Sequence, residues 1–398
     1  MIIQPKIRGF ICLTAHPEGC RANVKSQIDY VRAHGPIPND KKRVLVIGAS
    51  TGFGLASRIA SAFGSGAATI GVMFEKKSEN GRTATSGWYN TAAVENFAHA
   101  EGIYAKSING DAYSAEIRKQ TLDLIEKDLQ QIDMVIYSIA SPRRTDPQSG
   151  ITYKSVLKPI QNEFNSLTID VHTGKISDVT IEPANEQEVE DTVKVMGGED
   201  WDLWITDLLA RNLLAPSALT LAYSYIGPKI TEAMYRQGTI GKAKDHLENS
   251  AATITAKLLP IGGKAYVSVN KALVTQSSSA IPVIPLYITL LYKTMKDAGL
   301  HEGCIEQIDR MFRERIFTNA AVICDDVGRI RVDDWELKAE IQSAVASNWT
   351  RISTETLPMI GDLGGYRSEF HRLFGFGIDG VDYGADLEID VKIPSIEE

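Results

Sequence analysis

Short apolar runs alternate with amphipathic stretches along the first third of the chain. Residues 43–47 (RVLVI) are bounded by charge before and by GASTGFG after, the pattern of a parallel strand buried on both faces. LASRIASAF follows with helical spacing and ends at Gly64. AATIGVMF (67–74) reads as a second buried strand closed by Glu75, and a helical pattern covers 91–100. IYAKSI (103–108) is a third strand, 112–130 carries apolar residues at helical spacing, and IDMVIYSIA (132–140) is a fourth strand. This alternation predicts an α/β fold built on a doubly wound parallel sheet.

Beyond residue 150 the period changes. SLTIDVHTGKISDVTIEP alternates with period two on both sides of a His-Thr-Gly-Lys turn, which predicts a β-hairpin inserted within 150–190. Helical spacing returns at 200–212, SALTLAYSYIG (217–227) reads as a fifth strand, and 240–259 as a helix. KAYVSVNKALVT (264–275) includes a sixth strand, and 284–298 is a strongly apolar helix. Further helices fill the last hundred residues, with a terminal strand pair expected in DGVDYGADLEIDV (379–391). The chain therefore reads as one enlarged domain, 1–398, elaborated at 1–40, 150–190 and 300–398.

A net charge of −8, with 43% hydrophobic and 23% charged residues, describes a folded globular chain. That balance gives no general attraction to phosphate polymers, so nucleic acid is not an expected partner. The basic pairs Lys41-Lys42 and Arg143-Arg144 are read either as solvated surface or as contacts for an anionic substrate. The opening MIIQPKIRGFICL lacks the pattern of a secretory leader. The longest apolar run, 280–292, is broken by Pro282 and Pro285, so a cytoplasmic protein without a membrane span is expected. Four cysteines in a chain of this length do not make a disulfide framework. Cys12, His16 and Cys20 are evenly spaced in CLTAHPEGC, but no fourth ligand follows at a zinc spacing and no metal is expected.

Gly48, Ala49, Ser50, Thr51, Gly52, Phe53 and Gly54 lie between the first strand and its helix. Glycines there let backbone approach a pyrophosphate, and a helix N-terminus supplies free N–H groups, as in Rossmann-type sites. The spacing is G-x-x-x-G-x-G rather than G-x-G-x-x-G. Phe74 and Glu75 end the second strand, with Glu75 27 residues after Gly48. A carboxylate at that place accepts hydrogen bonds from the adenosine ribose and repels a 2′-phosphate, which favours NADH. Lys76 and Lys77 stand where they could offset part of that repulsion, and an exposed acid at a strand end is the alternative reading. Asp111 and Ala112 after the third strand, and Ile139 and Ala140 at the end of the fourth, fall on the same carboxyl edge. Asp111 is read as a contact for the adenine amine, as the N-cap of the following helix, or as both.

On the helix beginning near residue 240, Ile240, Ala243, Leu247, Ala251, Ile254 and Leu258 form one apolar stripe. Lys244 falls inside it, whereas Lys242 falls opposite with His246 and Asn249. A core-facing ammonium is costly unless something polar meets it; a cofactor ribose and a phenol would serve, and snorkelling along the rim is the alternative. Tyr235 precedes this helix and Tyr225 ends the fifth strand. A phenol beside an ammonium can donate to an oxygen that becomes negative as hydride arrives.

GASTGFG, YSYIG, the Y-x8-K spacing from Tyr235 to Lys244, and VTQSSSAIPVIPLY together resemble the FabV-type bacterial enoyl-acyl carrier protein reductases. These are also described as trans-2-enoyl-CoA reductases and are enlarged relatives of the short-chain dehydrogenase/reductase superfamily. The resemblance spans essentially the whole chain, including CLTAHPEGC and RVDDWEL. It implies a monomeric enzyme of fatty acid biosynthesis that uses NADH to reduce the C2=C3 bond of a 2-enoyl thioester carried on acyl carrier protein or CoA. It further implies Tyr235 as proton donor or enolate stabiliser, Tyr225 as a substrate contact, and Lys244 on the nicotinamide ribose. Leu273, Val274 and Thr275 would meet the carboxamide, and the apolar helix of 282–295 would line the acyl tail. A short-chain-type ketone or alcohol oxidoreductase and a non-catalytic dinucleotide-sensing protein remain as rivals.

Overall fold

The computed structural model describes residues 1–9, 11–318 and 320–396. Its centre is a parallel sheet of β1 (Arg43–Ile47), β2 (Ala68–Met73), β3 (Ala105–Asn109), β4 (Ile132–Tyr137), β5 (Leu214–Ser224), β6 (Lys264–Val269) and β7 (Ile330–Arg331). The strand order is β7-β6-β5-β4-β1-β2-β3. The order reverses between β1 and β4, where open α/β sheets form a crevice beyond the strands' carboxyl ends.

The helices are α1 (Pro17–Ala33), α2 (Gly52–Ile59), α3 (Ser86–Ala100), α4 (Ala115–Asp128), α5 (Glu186–Met196), α6 (Glu199–Ala210), α7 (Thr239–Leu258), α8 (Ile284–Asp297), α9 (Cys304–Met311), α10 (Ala339–Trp349), α11 (Leu357–Ile360) and α12 (Leu363–Arg372). Alternate residues of β1 feed different cores. Val44 and Val46 pack with Ile28 of α1, Ala56 of α2 and Ile308 of α9. Leu45 and Ile47 pack on the other face with Ile125 of α4, Trp204 of α6 and Ile254 of α7. Both faces are covered, which is why these strands read as continuous apolar runs. A third core gathers around α8, whose residues from Ile284 to Tyr292 are all buried, so the helix is apolar all round.

The inserted hairpin forms as the sequence reads, pairing Phe164–Ile169 with Ile176–Ile181. A second, shorter one pairs Arg143–Thr145 with Thr152–Lys154. The terminal strand pair expected at 379–391 does not form. That segment keeps an alternating exposure but runs as a strap, its carbonyls capped by side chains: Trp88 Nε1 donates to Val391 O (2.7 Å) and Tyr89 Oη to Ile389 O (2.8 Å). The basic pair divides: Arg143 stays exposed, whereas Arg144 is buried and donates to Glu199 Oε2 (2.6 Å). His16 caps α1, its Nδ1 accepting from Gly19 N (3.0 Å), and Cys20 is buried against Gly375. Among the described residues no helix is long and apolar enough to cross a membrane.

Candidate active site

A cavity of about 780 Å³ opens over the carboxyl edge of the sheet, at the strand-order reversal. Its floor is the turn after β1. Gly48 has φ +87°, and a Cβ there would stand 2.3 Å from Ser138 O. A Cβ on Gly54 would stand 1.9 Å from Gly48 O, so helix and turn meet too closely for any side chain. Thr51 caps α2 without a side-chain hydrogen bond. The first-turn N–H groups of Gly52, Phe53 and Gly54 are thereby left to a ligand, the arrangement that receives a pyrophosphate. Gly48, Ser50, Thr51, Gly52 and Phe53 line the cavity, with Ala49 and Gly54 behind them.

Glu75 stands at the next strand end. Its Oε1 accepts from Ser50 Oγ (2.6 Å), and Asn109 clamps its backbone through Glu75 N (2.8 Å) and Glu75 O (2.9 Å). Burial pushes the carboxyl above its ordinary value, with the Ser50 and Thr85 hydrogen bonds opposing. A Cβ on Gly87, in the first turn of α3, would stand 2.0 Å from Glu75 Oε1, so the carboxylate lies against that helix start. Phe74 lines the cavity while 75% exposed, an apolar ring with no protein cover. Asp111, Ala112, Ile139 and Ala140 line the same wall. Asp111 is not the N-cap of α4. Its Oδ1 accepts from Tyr113 N (3.0 Å) within the turn, and the cap is Ser114, which accepts from Ile117 N (3.2 Å). In GDAYSA two residues are able to cap, and the hydroxyl nearer the helix takes the position.

The opposite wall carries the phenols and the amine. Lys244 lies on α7 as the wheel predicts, lining the cavity, while Lys242 is exposed with His246 and Asn249. Its Nζ reaches Tyr223 O at 3.5 Å, and burial lowers its pKa to about 8 against a smaller opposing effect of Glu248. Tyr235, in the turn before α7, is 5% exposed, and its hydroxyl has no hydrogen-bond partner among the described residues. Its ring meets that of Tyr225 edge-on, centroids 4.9 Å apart at 89°. Tyr223 also borders the cavity, with its hydroxyl engaged in a 2.5 Å hydrogen bond with Ser57 Oγ. Burial raises the pKa of Tyr235 and of Tyr225, with Glu336 adding to both. Leu273 and Thr275 line the cavity; Val274 does not, being buried with its N–H on Tyr292 Oη (3.0 Å). Ile284 and Ile288 of α8, with Ile240 and Ile281, make an apolar sector of the wall. Two groups escaped the sequence reading, Lys271 in the wall and Glu336 behind Tyr225, because neither lies on a periodic stripe.

A parallel sheet with an open helix N-terminus, a carboxylate at the next strand end and a wall of phenols and an amine has the arrangement of a dinucleotide-dependent reductase. Three family models match the chain: the catalytic region of trans-2-enoyl-CoA reductase over 82–317, its NAD(P)H binding domain over 2–80, and an enoyl reductase FAD binding domain over 324–387. The chain belongs to the trans-2-enoyl-CoA reductase family, the FabV-type enoyl-acyl carrier protein reductases. It is 64% identical over 397 residues, the whole of both chains, to an enoyl-[acyl-carrier-protein] reductase [NADH] of Flavobacterium johnsoniae. Among solved structures it is similar to the Treponema denticola trans-2-enoyl-CoA reductase in complex with NAD (47% identity, TM-score 0.94, covering 99% of this chain and 100% of that one). A Clostridium acetobutulicum trans-2-enoyl-CoA reductase in complex with NADH gives 45% identity, TM-score 0.95 and the same coverage.

The residues present fit NADH, the glycine turn and Glu75 supplying the two contacts that a dinucleotide needs. A flavin does not fit the segment whose family description names one. Of the described residues in 324–387, only Leu373 reaches the cavity wall, while Val345, Tyr366 and Phe370 pack into the α8 core.

Proposed function

We propose that this chain reduces the C2=C3 double bond of a 2-enoyl thioester with NADH, and that Tyr235, Lys244 and Tyr225 do the protein's part of the chemistry. The observation that carries the reading is Tyr235, a phenol with no hydrogen-bond partner among the described residues, on one cavity with an inward amine and an open dinucleotide turn. Bound NADH would supply the hydride that C3 of the substrate receives. Negative charge then develops on the thioester oxygen, where the Tyr235 hydroxyl donates a hydrogen bond or passes its proton on toward C2. Lys244 would hold the nicotinamide ribose, and its positive charge would favour the phenolate that proton donation leaves. Glu75 would receive the adenosine ribose, and Phe74, Asp111 and Ala112 would border the adenine. Leu273 and Thr275 would face the carboxamide, and Ile284 and Ile288 would flank the acyl tail.

The cavity draws Gly48, Tyr235 and Leu373 from the three matched segments, which supports one working unit across 1–398. We place the enzyme in fatty acid biosynthesis in the cytoplasm, as a monomer taking its substrate from acyl carrier protein or CoA. The test is NADH oxidation with crotonyl-CoA against acetoacetyl-CoA. Turnover with the enoyl thioester alone supports the reading; turnover with the ketone alone would replace it by a carbonyl reductase, and binding without turnover by a sensing protein.

A further inference from the structure

Behind Tyr225 lies a carboxylate with no part in the chemistry described so far. Glu336 follows β7 in the C-terminal segment and is 0% exposed. Its Oε1 accepts from Tyr225 Oη (3.0 Å) and Tyr287 Oη (2.6 Å), and its Oε2 accepts from Ala272 N (2.7 Å). Gln342 Nε2 secures the group from outside, donating to Glu336 O (2.7 Å) and Tyr287 Oη (3.2 Å). The nearby cation, Lys271, directs its Nζ to Ala272 O (3.2 Å) and Glu302 O (3.1 Å). One buried acid thus joins the end of β5, the first turn of α8 and the loop of residues 272–275. A buried charge persists only when its lone pairs are met, and three donors meet this one.

Proton accounting gives the consequence. A phenol has one proton, and that of Tyr225 is committed to Glu336, so Tyr225 turns only its ring and oxygen lone pairs toward the cavity. Tyr235 keeps its proton free and has the Tyr225 ring against its own. We propose that Glu336 is a positioning residue, fixing Tyr225 against Tyr235 and tying both to the 272–275 loop, so that proton delivery falls to Tyr235 alone. This rests on the reading of the site given above and deepens it.

The test is a double-mutant cycle on the full chain with crotonyl-CoA and NADH. Glu336→Gln preserves shape and the anchor on Ala272 N but removes the charge and the acceptor that hold Tyr225. Because Glu336 acts through Tyr225, Glu336→Gln and Tyr225→Phe should each lower kcat roughly tenfold, the effect of one charge-assisted hydrogen bond on alignment. KM for NADH should stay unchanged in both, and the double variant should be no slower than Tyr225→Phe alone. Unchanged kcat in Glu336→Gln, or losses that multiply in the double variant, would overturn the proposal. If Glu336→Gln does not fold, Tyr225→Phe decides: full kcat there leaves Glu336 nothing to act through. A wild-type chain inactive on crotonyl-CoA would remove the reading of the site and this inference with it, whereas an active wild type with an unaffected Glu336→Gln removes the inference alone.

Discussion

Replacing Glu75 by alanine removes the carboxylate that Ser50 holds at 2.6 Å and that lies against the start of α3. With NADH, the loss is that of charge-assisted hydrogen bonds to the ribose hydroxyls, about 1.5–3 kcal/mol. With NADPH, the change is a gain, because a carboxylate no longer faces the 2′-phosphate. Two unit charges 4 Å apart near a protein surface repel by about 4 kcal/mol, and solvent at this half-buried rim cuts the effect to about 1.5 kcal/mol. Together these shift selectivity by about 3–4.5 kcal/mol, a factor of roughly 10²–10³ in the ratio of kcat/KM values. The exposed Lys76 and Lys77 stand ready to meet the phosphate once the acid is gone. The assay is steady-state oxidation of each cofactor with crotonyl-CoA, with a thermal melt as control. An unchanged ratio would refute the assignment, and so would equal losses with both cofactors, which would mark Glu75 as a structural support of the 74–87 region.

Lys244→Met should weaken NADH binding and lower kcat together, by roughly tenfold or more each, whereas Lys242→Met on the exposed face should change neither by more than about twofold; reversed outcomes in isothermal titration and rate assays would place the working amine at 242. Burial depresses the Lys244 pKa to about 8, so the useful ammonium is present below that value and is lost as pH rises through it. The profile of kcat/KM against pH should therefore fall on its alkaline side near pH 8, and a flat profile through that range would detach the rate from this charge. Gly54→Ala puts a methyl 1.9 Å from Gly48 O, which should cost about 1–3 kcal/mol of stability and abolish measurable NADH affinity; a variant with normal melting and normal affinity would show the turn to be adaptable.

The inward amine is legible in the sequence because a helix repeats at a fixed angle, and one polar residue on an apolar stripe is visible without coordinates. The glycine turn is legible for a similar reason, its flanking strand and helix each declaring a period. Glu336 is not legible this way: it is 111 residues from Tyr225 in sequence, and only the packing of the C-terminal segment on α8 brings them together. β7 is two residues long, too short to show any period, yet it closes the sheet edge beside β6. The 379–391 strap misleads in the other direction. Its alternating exposure is real, but it is held by indole and phenol hydrogens and by a single main-chain pairing of Leu387 with Met1 rather than by a strand ladder, and pattern alone cannot tell the two apart.

Proton delivery by the free phenol is the claim on which the chemistry turns, and single-turnover kinetics of Tyr235→Phe, measured beside the NADH dissociation constant, tests it most directly. The expected result is a loss of at least about a hundredfold in the rate of crotonyl-CoA reduction with NADH affinity within about twofold of wild type. A Tyr235→Phe enzyme that reduces crotonyl-CoA at the wild-type rate would contradict it.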